Sequence, residues 1–544
     1  IGRGANEQGN CSHQAGEKDR ELTNNMHLTQ AIKRACQVNG NGLATINGDR
    51  RHTWLECRDR VAKLAGALRK LGICDGERAG ILSLNSDRYF EAYLALPWAA
   101  AAFVPINGRL AAPEMAYWLN DSESLALFID QPFVGMMDDL KPQLETVKHF
   151  IYVGDGETPD GMLNYEEILT QADPVEDAGA GYNDMAGILY TGGTTGKSKG
   201  VMLSHANLMS NTMNCIPALN FRPGMSWLYV PPMFHIAGSV AVTGVTMVGG
   251  THVFVPAFEP TAVLTALQDE KITDLLMVPT MINMMVNSEG AGDYDLSNLK
   301  TLSYGASPMP ADVIRKTVEL IPDAEFVHAY GQTETSPLIS MNGADAHRGE
   351  GLKNELFKSC GPVVMNSEVK VIDENGQEVA NGTVGELCVR GPIVMLGYWK
   401  LPEQTAEAVR DGWMHTGDGA FIDDEGYIYI VDRTKDMIIS GGENVYSAEV
   451  ETPLYQHPAV IECAVVGVPD DKWGERVHAI VRLHEGQAVS EKELMDFCHT
   501  LIAGFKCPRS ILFREEPLPL SGAGKILKRE LRAPYWEGQD KQVH

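Results

Sequence analysis

The sequence predicts an α/β fold in which helices alternate with the strands of a largely parallel sheet. From about residue 53 onward, segments with helical spacing of apolar residues alternate with short apolar runs, as in β-α repeats. After about residue 365 the pattern changes to strands joined by polar turns, which favours a small antiparallel β subdomain. A chain of 544 residues is long enough for roughly three to four folding units of about 150 residues.

The individual elements follow from local patterns. A helix is predicted after Thr53, because Thr53 and Glu56 have the spacing of a capping box, and Gly72 is placed to end it. Short apolar runs predict strands at residues 79–84, 102–105, 125–129, 150–153, 185–190, 227–230, 252–255, 275–278, 300–304 and 325–328. The antiparallel region is predicted to contain strands at residues 368–372, 385–389 and 427–431, the last one after a turn at 423–426.

The composition excludes several classes of protein. With 44% apolar and 22% charged residues, the chain is neither disordered nor fibrous. Lys and Arg total 45 against 72 Asp and Glu, and the resulting net charge of −27 argues against general binding to nucleic acids or anionic membranes. A polyanionic ligand must therefore meet a local positive site. No apolar run reaches about eighteen residues, so no transmembrane helix is expected.

The charge distribution places a domain boundary near Asp432. Residues 433–544 hold 14 basic and 17 acidic residues, net −3, which leaves −24 for residues 1–432. Residues 1–25 are polar and are interpreted as a tag or a disordered leader, with an N-terminal domain at 26–432 and a C-terminal domain at 433–544. The ten cysteines are scattered without a C-x-x-C pair, which predicts reduced thiols and a cytoplasmic protein.

The strongest local signal for chemistry lies at residues 190–200, Tyr-Thr-Gly-Gly-Thr-Thr-Gly-Lys-Ser-Lys-Gly, directly after an apolar strand. Its glycines let the backbone approach an anion, and its hydroxyl groups and lysines suit phosphate oxygens. A Walker A loop needs a glycine where Thr191 stands, and no G-x-G-x-x-G motif supports a dinucleotide fold. A flexible surface loop is the alternative interpretation.

Three further segments can complete a nucleotide site. Residues 328–335, His-Ala-Tyr-Gly-Gln-Thr-Glu-Thr, offer a ring for a base and a carboxylate for Mg²⁺. In residues 412–418, Gly-Trp-Met-His-Thr-Gly-Asp, Asp418 can accept hydrogen bonds from a ribose, and residues 519–525 present Lys525 on a glycine-rich loop. Taken singly, these segments are also explained as a capped helix start, a solvated turn and a surface lysine.

Together and in this order, the four segments resemble those of the adenylate-forming superfamily, which includes acyl-CoA synthetases, peptide-synthetase adenylation domains and beetle luciferases. The resemblance covers nearly the whole chain. It implies a large N-terminal AMP-binding α/β domain with a distorted β-barrel subdomain and, after a hinge near Asp432, a small mobile α+β C-terminal domain. It also implies an AMP-forming acid–CoA ligase of fatty acid metabolism or aryl-acid activation, which makes an acyl-adenylate and then transfers the acyl group to CoA.

The resemblance also implies a role for each candidate residue. The catalytic residues are Lys525, Glu334, Thr191 and His235, and Glu334 and Thr191 are also the metal contacts. The nucleotide and CoA contacts are Thr191, Gly192, Gly193, Thr194, Thr195, Gly196, Lys199, Gly305, Ala306, Tyr330, Gly331, Thr333, Asp418, Arg433, Lys435, Gly441 and Gly442. Among these, Tyr330 stacks on adenine, Asp418 and Arg433 hold the ribose, and Gly441 and Gly442 line the pantetheine tunnel.

Two implied roles concern the acid. Lys525 bridges the substrate carboxylate and the α-phosphate, and His235 belongs to a segment that lines the acyl pocket, although a buried histidine with a purely structural role is equally compatible. Small residues in the expected pocket leave room for a fatty chain or an aromatic ring: Gly238, Ser239, Gly305, Ala306 and Gly331.

Two other functions remain open: a free-standing adenylation enzyme that loads a carrier protein, and a catalytically silent nucleotide-binding regulator. The joint presence of Lys525, Glu334 and Asp418 argues against the regulator. The expected cofactors are ATP, Mg²⁺ and coenzyme A, and the expected partner is a small-molecule carboxylic acid. No nucleic acid or integral membrane partner is expected, and a homodimer is the expected oligomer.

Overall fold

The computed structural model describes residues 26–191, 198–307, 309, 311–433, 436–440, 443–470, 473–520 and 526–537. The helices are α1 (Gln30–Asn39), α2 (Trp54–Lys70), α3 (Asp87–Trp98), α4 (Ala112–Asp121), α5 (Met137–Leu140), α6 (Tyr165–Thr170), α7 (His205–Ala218), α8 (Ile236–Ser239), α9 (Ala241–Val248), α10 (Pro260–Asp269), α11 (Pro279–Val286), α12 (Ala311–Leu320), α13 (Gly349–Lys353), α14 (Pro402–Ala408), α15 (Ser447–Gln456), α16 (Glu491–His499) and α17 (Lys528–Trp536).

The strands are β1 (Leu43–Asn47), β2 (Arg50–Thr53), β3 (Arg78–Leu82), β4 (Ala102–Pro105), β5 (Ser124–Ile129), β6 (His149–Tyr152), β7 (Leu163–Asn164), β8 (Met185–Thr191), β9 (Lys199–Ser204), β10 (Ser226–Tyr229), β11 (Thr251–Phe254), β12 (Asp274–Met277), β13 (Thr301–Gly305), β14 (Glu325–Gly331), β15 (Leu338–Asn342), β16 (Glu368–Ile372), β17 (Gly385–Arg390), β18 (Gly397–Tyr398), β19 (Val409–Arg410), β20 (Trp413–Ile422), β21 (Ile428–Arg433), β22 (Ile438–Ser440), β23 (Glu443–Val445), β24 (Val460–Asp470), β25 (Gly474–Leu483) and β26 (Ser510–Phe513).

Two eight-stranded sheets dominate the N-terminal part of the chain. Their strand orders are β15-β14-β13-β12-β10-β11-β1-β2 and β18-β9-β8-β4-β3-β5-β6-β7. The inner strands run parallel, and antiparallel strands such as β2, β9 and β15 stand at or next to the edges. The predicted α/β class is confirmed, but the expectation of one sheet was wrong. A buried apolar run predicts a strand without indicating which sheet that strand joins.

A helix buried along its whole length lies in the core of this part. All residues of α3 are buried, and the Ser86 side chain caps the helix by accepting from the Tyr89 N–H. The helix shares one apolar cluster with residues of both large sheets, among them Phe103 in β4 and Tyr229 in β10. This continuous core holds the two sheets in a fixed arrangement.

The local predictions for the helix after Thr53, which is α2, are confirmed. The Thr53 side chain accepts from the Glu56 N–H and the Glu56 carboxylate accepts from the Thr53 N–H, which completes the capping box of α2. Gly72 follows the C-cap residue Leu71 and has a φ of +79°, a conformation that glycine adopts without strain. Strand β2, in contrast, was not predicted, because its Arg-Arg-His-Thr sequence has the polar character of an edge strand.

Two smaller sheets follow. The third sheet has the order β16-β17-β20-β19, with β21 on β20, and all its pairs are antiparallel, as the change of pattern after residue 365 predicts. The fourth has the order β23-β22-β25-β24, with β26 parallel to β25, and it packs with α15 and α16 around its own apolar cluster. The third sheet ends at Arg433 and the fourth begins at Ile438.

The described cysteines depart in one case from the expectation. Eight of them are free thiols, and all of these except Cys36 are buried. Cys74 is disulfide-bonded, which the scattered spacing did not predict because spacing alone does not indicate which distant cysteines meet. Among the described residues, no helix combines the length and the apolar character needed to cross a membrane.

Candidate functional site

Thr191 and Lys199 face each other at the open end of a β-hairpin. Strand β8 ends at Thr191, β9 begins at Lys199, and the antiparallel register pairs these two residues. A P-loop connects a strand to a helix, so the hairpin agrees with the exclusion of a Walker A motif. The predicted phosphate contacts between them lie outside the described residues: Gly192, Gly193, Thr194, Thr195 and Gly196.

Tyr398 links Lys199 to Glu334. The Lys199 Nζ atom lies 4.8 Å from the centre of the Tyr398 ring, a cation–π distance, and the Tyr398 hydroxyl donates to Glu334 Oε1 at 3.0 Å. Burial, reinforced by the negative Glu334 carboxylate, raises the pKa of Tyr398, which keeps its hydroxyl protonated. The ammonium group of the hairpin and the carboxylate of the second motif are therefore held at one site.

The turn that carries Thr333 and Glu334 has backbone support on two sides. The Met395 N–H donates to the Glu334 carbonyl at 2.9 Å, and Asn211 Nδ2 donates to the Thr335 carbonyl at 3.2 Å. Gly331 precedes this turn at the end of β14, and a Cβ atom there would lie 1.7 Å from the Pro337 carbonyl oxygen. A side chain at position 331 would therefore displace the turn.

Gly305 and Ala306 lie beside this turn. Strands β13 and β14 are parallel and pair Gly305 with Ala329, so the two strands end at the same edge of the sheet. A Cβ atom on Gly305 would lie 2.2 Å from the Ala329 carbonyl oxygen, and Ala306 has a φ of +71°. The carboxyl edge of a parallel sheet is where ligands bind in open α/β folds.

Asp418 is tied to the motif at 328–335 by two hydrogen bonds. The Tyr330 hydroxyl donates to Asp418 Oδ2 at 2.7 Å, and Gln332 Nε2 donates to the same oxygen at 3.1 Å. Burial, reinforced by the Asp418 charge, raises the pKa of Tyr330 far above its ordinary value, so Tyr330 remains a donor. Strand pairing places Asp418 opposite Arg433, the other predicted ribose contact.

Glu386 supports the strand that carries Asp418, and sequence reasoning missed it. Its Oε1 atom accepts from the Gly417 N–H at 3.1 Å, and its Oε2 atom lies 2.9 Å from His415 Nδ1. In the same turn, the Thr416 hydroxyl donates to the Leu387 carbonyl at 2.7 Å. The available signal was the alternation along β17, which puts Glu386 and Cys388 on one face. The pairing of β17 with β20 cannot be inferred from the residues of either strand alone.

Glu386 also belongs to a group of potential metal ligands with Cys388 and His415, whose ligand atoms lie within 4.8 Å of one another. Two features disfavour a metal ion there. Arg410 Nη2 lies 2.6 Å from His415 Nδ1, so a cation already occupies this side of the group. Burial raises the pKa of the Cys388 thiol to about 12, which opposes the thiolate that a metal ion needs.

His235 is the residue immediately before α8. Asn85 fixes the segment that leads to His235, because its Oδ1 atom accepts from the Met233 N–H at 2.8 Å and its Nδ2 atom donates to the Pro231 carbonyl at 3.1 Å. The His235 ring packs against Phe234 with centroids 4.4 Å apart. The expected lining of the acyl pocket is thus anchored to the loop between β3 and α3.

Other predicted site residues cannot be placed by this geometry. Lys435, Gly441, Gly442 and Lys525 lie outside the described residues, and the side chain of Arg433 does too. Their roles stay predictions. Among the described residues, the structure brings together Thr191 with Lys199, Lys199 with Glu334 through Tyr398, Gly305 with the end of β14, and Tyr330 and Gln332 with Asp418.

Comparison with known proteins assigns the chain to a family. Residues 32–399 match the family model described as AMP-binding enzyme, and residues 449–525 match its C-terminal domain. A feruloyl-CoA synthase from Amycolatopsis sp is 38% identical over 92% of this chain and 98% of its own length. The medium/long-chain-fatty-acid–CoA ligase FadD8 of Mycobacterium tuberculosis is 34% identical over 99% of this chain and 94% of its own length.

Solved structures agree with this match. ATP-bound MatB from Rhodopseudomonas palustris superimposes with a TM-score of 0.84 at 29% identity, covering 94% of this chain and 99% of that one. The anthranilate CoA ligase AuaEII in complex with anthranoyl-AMP gives a TM-score of 0.85 at 26% identity, covering 94% and 97%. The predicted superfamily and class of enzyme, an AMP-forming acid–thiol ligase, are confirmed. The chain belongs to the AMP-binding enzyme family.

Proposed function

We propose that this enzyme joins a small organic carboxylic acid to ATP as an acyl-adenylate at the carboxyl edge of β13 and β14, and then transfers the acyl group to the thiol of coenzyme A. The observation that carries this assignment is the pair of hydrogen bonds that Tyr330 and Gln332 donate to Asp418. These bonds place the Tyr330 ring, which we assign to the base, next to the Asp418 carboxylate, which we assign to the ribose hydroxyls. The Lys199 and Glu334 pair, joined through Tyr398, lies on the phosphate side.

The first half-reaction brings two anions together. A carboxylate must attack the α-phosphorus of ATP, and the protein around them carries a net charge of −27. Local cations are therefore required, and we assign them to Lys199 and to Lys525. Lys525 bridges the carboxylate and the α-phosphate as charge builds up on the phosphate oxygens, and pyrophosphate leaves into the 191–199 hairpin.

The residues of the site suit Mg²⁺. This ion prefers oxygen ligands and keeps several of its waters, and the Glu334 carboxylate and the Thr191 hydroxyl are such ligands. The Tyr398 hydroxyl donates to the Oε1 atom of Glu334, so this bond involves one of the two oxygens of the carboxylate. When bound, the ion neutralises charge on the phosphates, while Tyr398 and the Met395 N–H hold the Glu334 side chain and backbone in place.

The second half-reaction needs a different arrangement. We assign the transfer to a rotation of the C-terminal domain about Asp432, which withdraws Lys525 and brings Gly441 and Gly442 to the pantetheine arm of CoA. The short connection from the end of the third sheet at Arg433 to the start of the fourth sheet at Ile438 suits a hinge. The thiol then attacks the acyl carbonyl and AMP leaves.

The acid and the acceptor are assigned by class. An aryl acid or a medium-chain fatty acid suits the small residues near His235, and relatives named for ferulate and for medium- and long-chain fatty acids support this choice. A carrier protein is the second candidate acceptor, since a fatty acid–[acyl-carrier-protein] ligase from Streptomyces coeruleorubidus is 35% identical over 89% of this chain. We also propose a homodimer and a cytoplasmic location; eight free thiols favour that location, against one disulfide-bonded cysteine, Cys74.

The test is a panel of aryl and fatty acids incubated with the purified enzyme, ATP, Mg²⁺ and either CoA or a phosphopantetheinylated carrier protein. Release of AMP together with an acyl-CoA supports the assignment. AMP release with the carrier protein as acceptor but not with CoA supports the carrier protein, the second candidate acceptor. Absence of AMP with every acid and both acceptors contradicts both. Light scattering of the same preparation tests the dimer.

A further inference from the structure

Helix α4 ends against the hairpin that carries Thr191 and Lys199. Its last residue is Asp121, whose Oδ2 atom accepts a hydrogen bond of 2.6 Å from the hydroxyl of Tyr190, the residue before Thr191. The ring of Trp118 stacks on the Tyr190 ring, with centroids 5.0 Å apart and planes inclined by 15°. Tyr190 is thus held by α4 through both its ring and its hydroxyl.

The same helix contacts the second strand of the hairpin. The Tyr117 hydroxyl donates to the Ser198 carbonyl at 3.2 Å, and Ser198 directly precedes Lys199. Each side of the hairpin therefore contacts α4 one residue away from a position that we assign to the phosphates of ATP. Burial, reinforced by the Asp121 carboxylate, raises the pKa of Tyr190 far above its ordinary value, so its hydroxyl stays protonated and donates.

The main chain of Asp121 binds the segment that supports Glu334. Its carbonyl oxygen accepts a hydrogen bond of 2.8 Å from Trp399 Nε1. Trp399 follows Tyr398, whose hydroxyl donates to Glu334 Oε1 at 3.0 Å. Asp121 therefore hydrogen-bonds both to strand β8, which leads into the phosphate hairpin, and to the segment that holds the proposed metal contact.

An acidic residue at the end of α4 opposes the electrostatics of the helix. The C-terminal end of a helix carries partial negative charge, so a carboxylate is disfavoured there. Long-range donors offset this cost, since Lys400 Nζ donates to the Asp121 carbonyl at 3.1 Å in addition to the bonds from Tyr190 and Trp399. A residue that opposes the preference of its own helix, and is stabilised by distant partners, is expected at functional sites.

We propose that Asp121 is a positioning residue for adenylation, which fixes the spacing between Thr191 and Glu334. Its side chain acts through Tyr190 and its main chain through Trp399. The inference rests on the proposed function, in which this part of the site binds Mg²⁺ and the β- and γ-phosphates. Because the bond to Tyr190 has a charged acceptor, its loss is expected to raise the KM for ATP and for pyrophosphate about tenfold. AMP lacks these two phosphates, so its binding should not depend on Asp121.

The experiment compares Asp121→Ala with the wild type in pyrophosphate exchange, using the acid that the wild type activates best. The substitution removes only the side-chain bond, because the main-chain carbonyl that binds Trp399 remains. The KM values for ATP and pyrophosphate should rise about tenfold. The inhibition constant of AMP and the rate of thioester formation from supplied acyl-adenylate should stay unchanged. A parallel rise in the inhibition constant of AMP would indicate general damage to the fold and would overturn the inference.

Two further variants identify the bond. Asp121→Asn retains an acceptor oxygen for the Tyr190 hydroxyl and should recover most of the loss. Tyr190→Phe keeps the ring that stacks on Trp118, so it covers the case that Asp121→Ala folds poorly, and it should match that variant. Because both changes remove the same bond, the double variant should be no worse than either single one. Additive losses would contradict action through this bond.

Tyr165→Phe is the matched control, because the Tyr165 hydroxyl donates to the Glu91 carboxylate at 2.7 Å. Tyr165 begins α6, directly after β7, which is the strand at the far edge of the same sheet from β9. This control should leave both KM values unchanged. Unchanged KM values in Asp121→Ala and Tyr190→Phe overturn the inference and leave the ligase assignment intact. Absence of exchange by the wild type with every acid overturns the proposed function and this inference with it.

Discussion

The Tyr330 hydroxyl donates a hydrogen bond of 2.7 Å to Oδ2 of Asp418, and this bond joins strand β14 of the first large sheet to strand β20 of the third, antiparallel sheet. Gln332 donates to the same oxygen at 3.1 Å. Asp418 is 5% exposed, so these donors replace most of its contact with water. The residues that we propose as contacts of the base and of the ribose are therefore held together by the protein itself.

Replacing Tyr330 with Phe should weaken ATP binding more than it slows chemistry. The change keeps the ring and removes one donor to a buried carboxylate, which costs about 1.5 kcal/mol, or roughly a tenfold rise in the KM for ATP. Steady-state kinetics with ATP varied at fixed acid and CoA measures this. Tyr429→Phe, in the neighbouring strand β21 and stacked on Phe421, is the control. An unchanged KM would show that this bond does not position the ribose contact.

Glu386 is predicted to act as a positioning residue for Asp418. Glu386→Ala removes the acceptor for the Gly417 N–H, so the turn before Asp418 loosens and the KM for ATP rises several-fold with a smaller effect on the KM for the acid. Glu386→Gln retains one acceptor oxygen and should recover most of the loss. Glu368→Gln, at an exposed ion pair with Arg390 on the adjacent strand, is the control. Equal loss in the Gln and Ala variants would contradict positioning through the hydrogen bond.

Lys525→Ala should separate the two half-reactions. If Lys525 bridges the two anions during adenylation, its loss costs on the order of 3 kcal/mol, a decrease of more than 100-fold in that step. Thioester formation from supplied acyl-adenylate should be largely retained, because that step does not need the bridge. Single-turnover assays of each half-reaction measure this, with Lys492→Ala as an exposed control in the same domain. Equal losses in both steps would be incompatible with the assigned role.

Protonation of the buried His328 should make the enzyme less stable in acid. Burial against Tyr304, whose ring stacks at 4.8 Å, lowers the pKa of His328 to about 4 from an ordinary value of 6.5. The unfolded chain therefore binds a proton that the folded chain resists, and the free energy of unfolding falls by up to about 3 kcal/mol as the pH drops from 6.5 to 4.

His328→Asn tests this assignment by urea unfolding at several pH values. The Asn amide can still donate to the Ser359 carbonyl, which His328 Nδ1 contacts at 3.0 Å, but it does not titrate. The variant should be less stable than the wild type at pH 7, and the difference should shrink by pH 4.5. His499→Asn, at an exposed position in α16, should leave the pH dependence unchanged. Parallel curves for His328→Asn and the wild type would exclude His328 as the source.

Local patterns in the sequence predicted the elements of the site but not their contacts. The capping box at Thr53, the strand before Thr191 and the strand before Tyr330 follow from residues within a few positions of each other. The bond from Tyr330 to Asp418 spans 88 residues. The periodicity of apolar residues indicates that a strand is buried, but it does not identify the neighbouring strand, so this bond could not be predicted.

The same limit explains what was missed. In the sequence, Glu386 is an ordinary acidic residue on a predicted strand, and its contact with the turn before Asp418 depends on the pairing of β17 with β20. The division of the parallel strands into two sheets depends likewise on long-range packing, which no short segment of the sequence encodes.

The central claim is that Asp418, Tyr330, Glu334 and Lys525 together form a site for making an acyl-adenylate. Exchange of labelled pyrophosphate into ATP, measured with Mg²⁺ and the panel of aryl and fatty acids but without CoA, tests it most directly. We predict exchange that depends on the acid and is lost in Lys525→Ala. A folded, purified enzyme that shows no acid-dependent exchange with any acid of the panel would contradict the account.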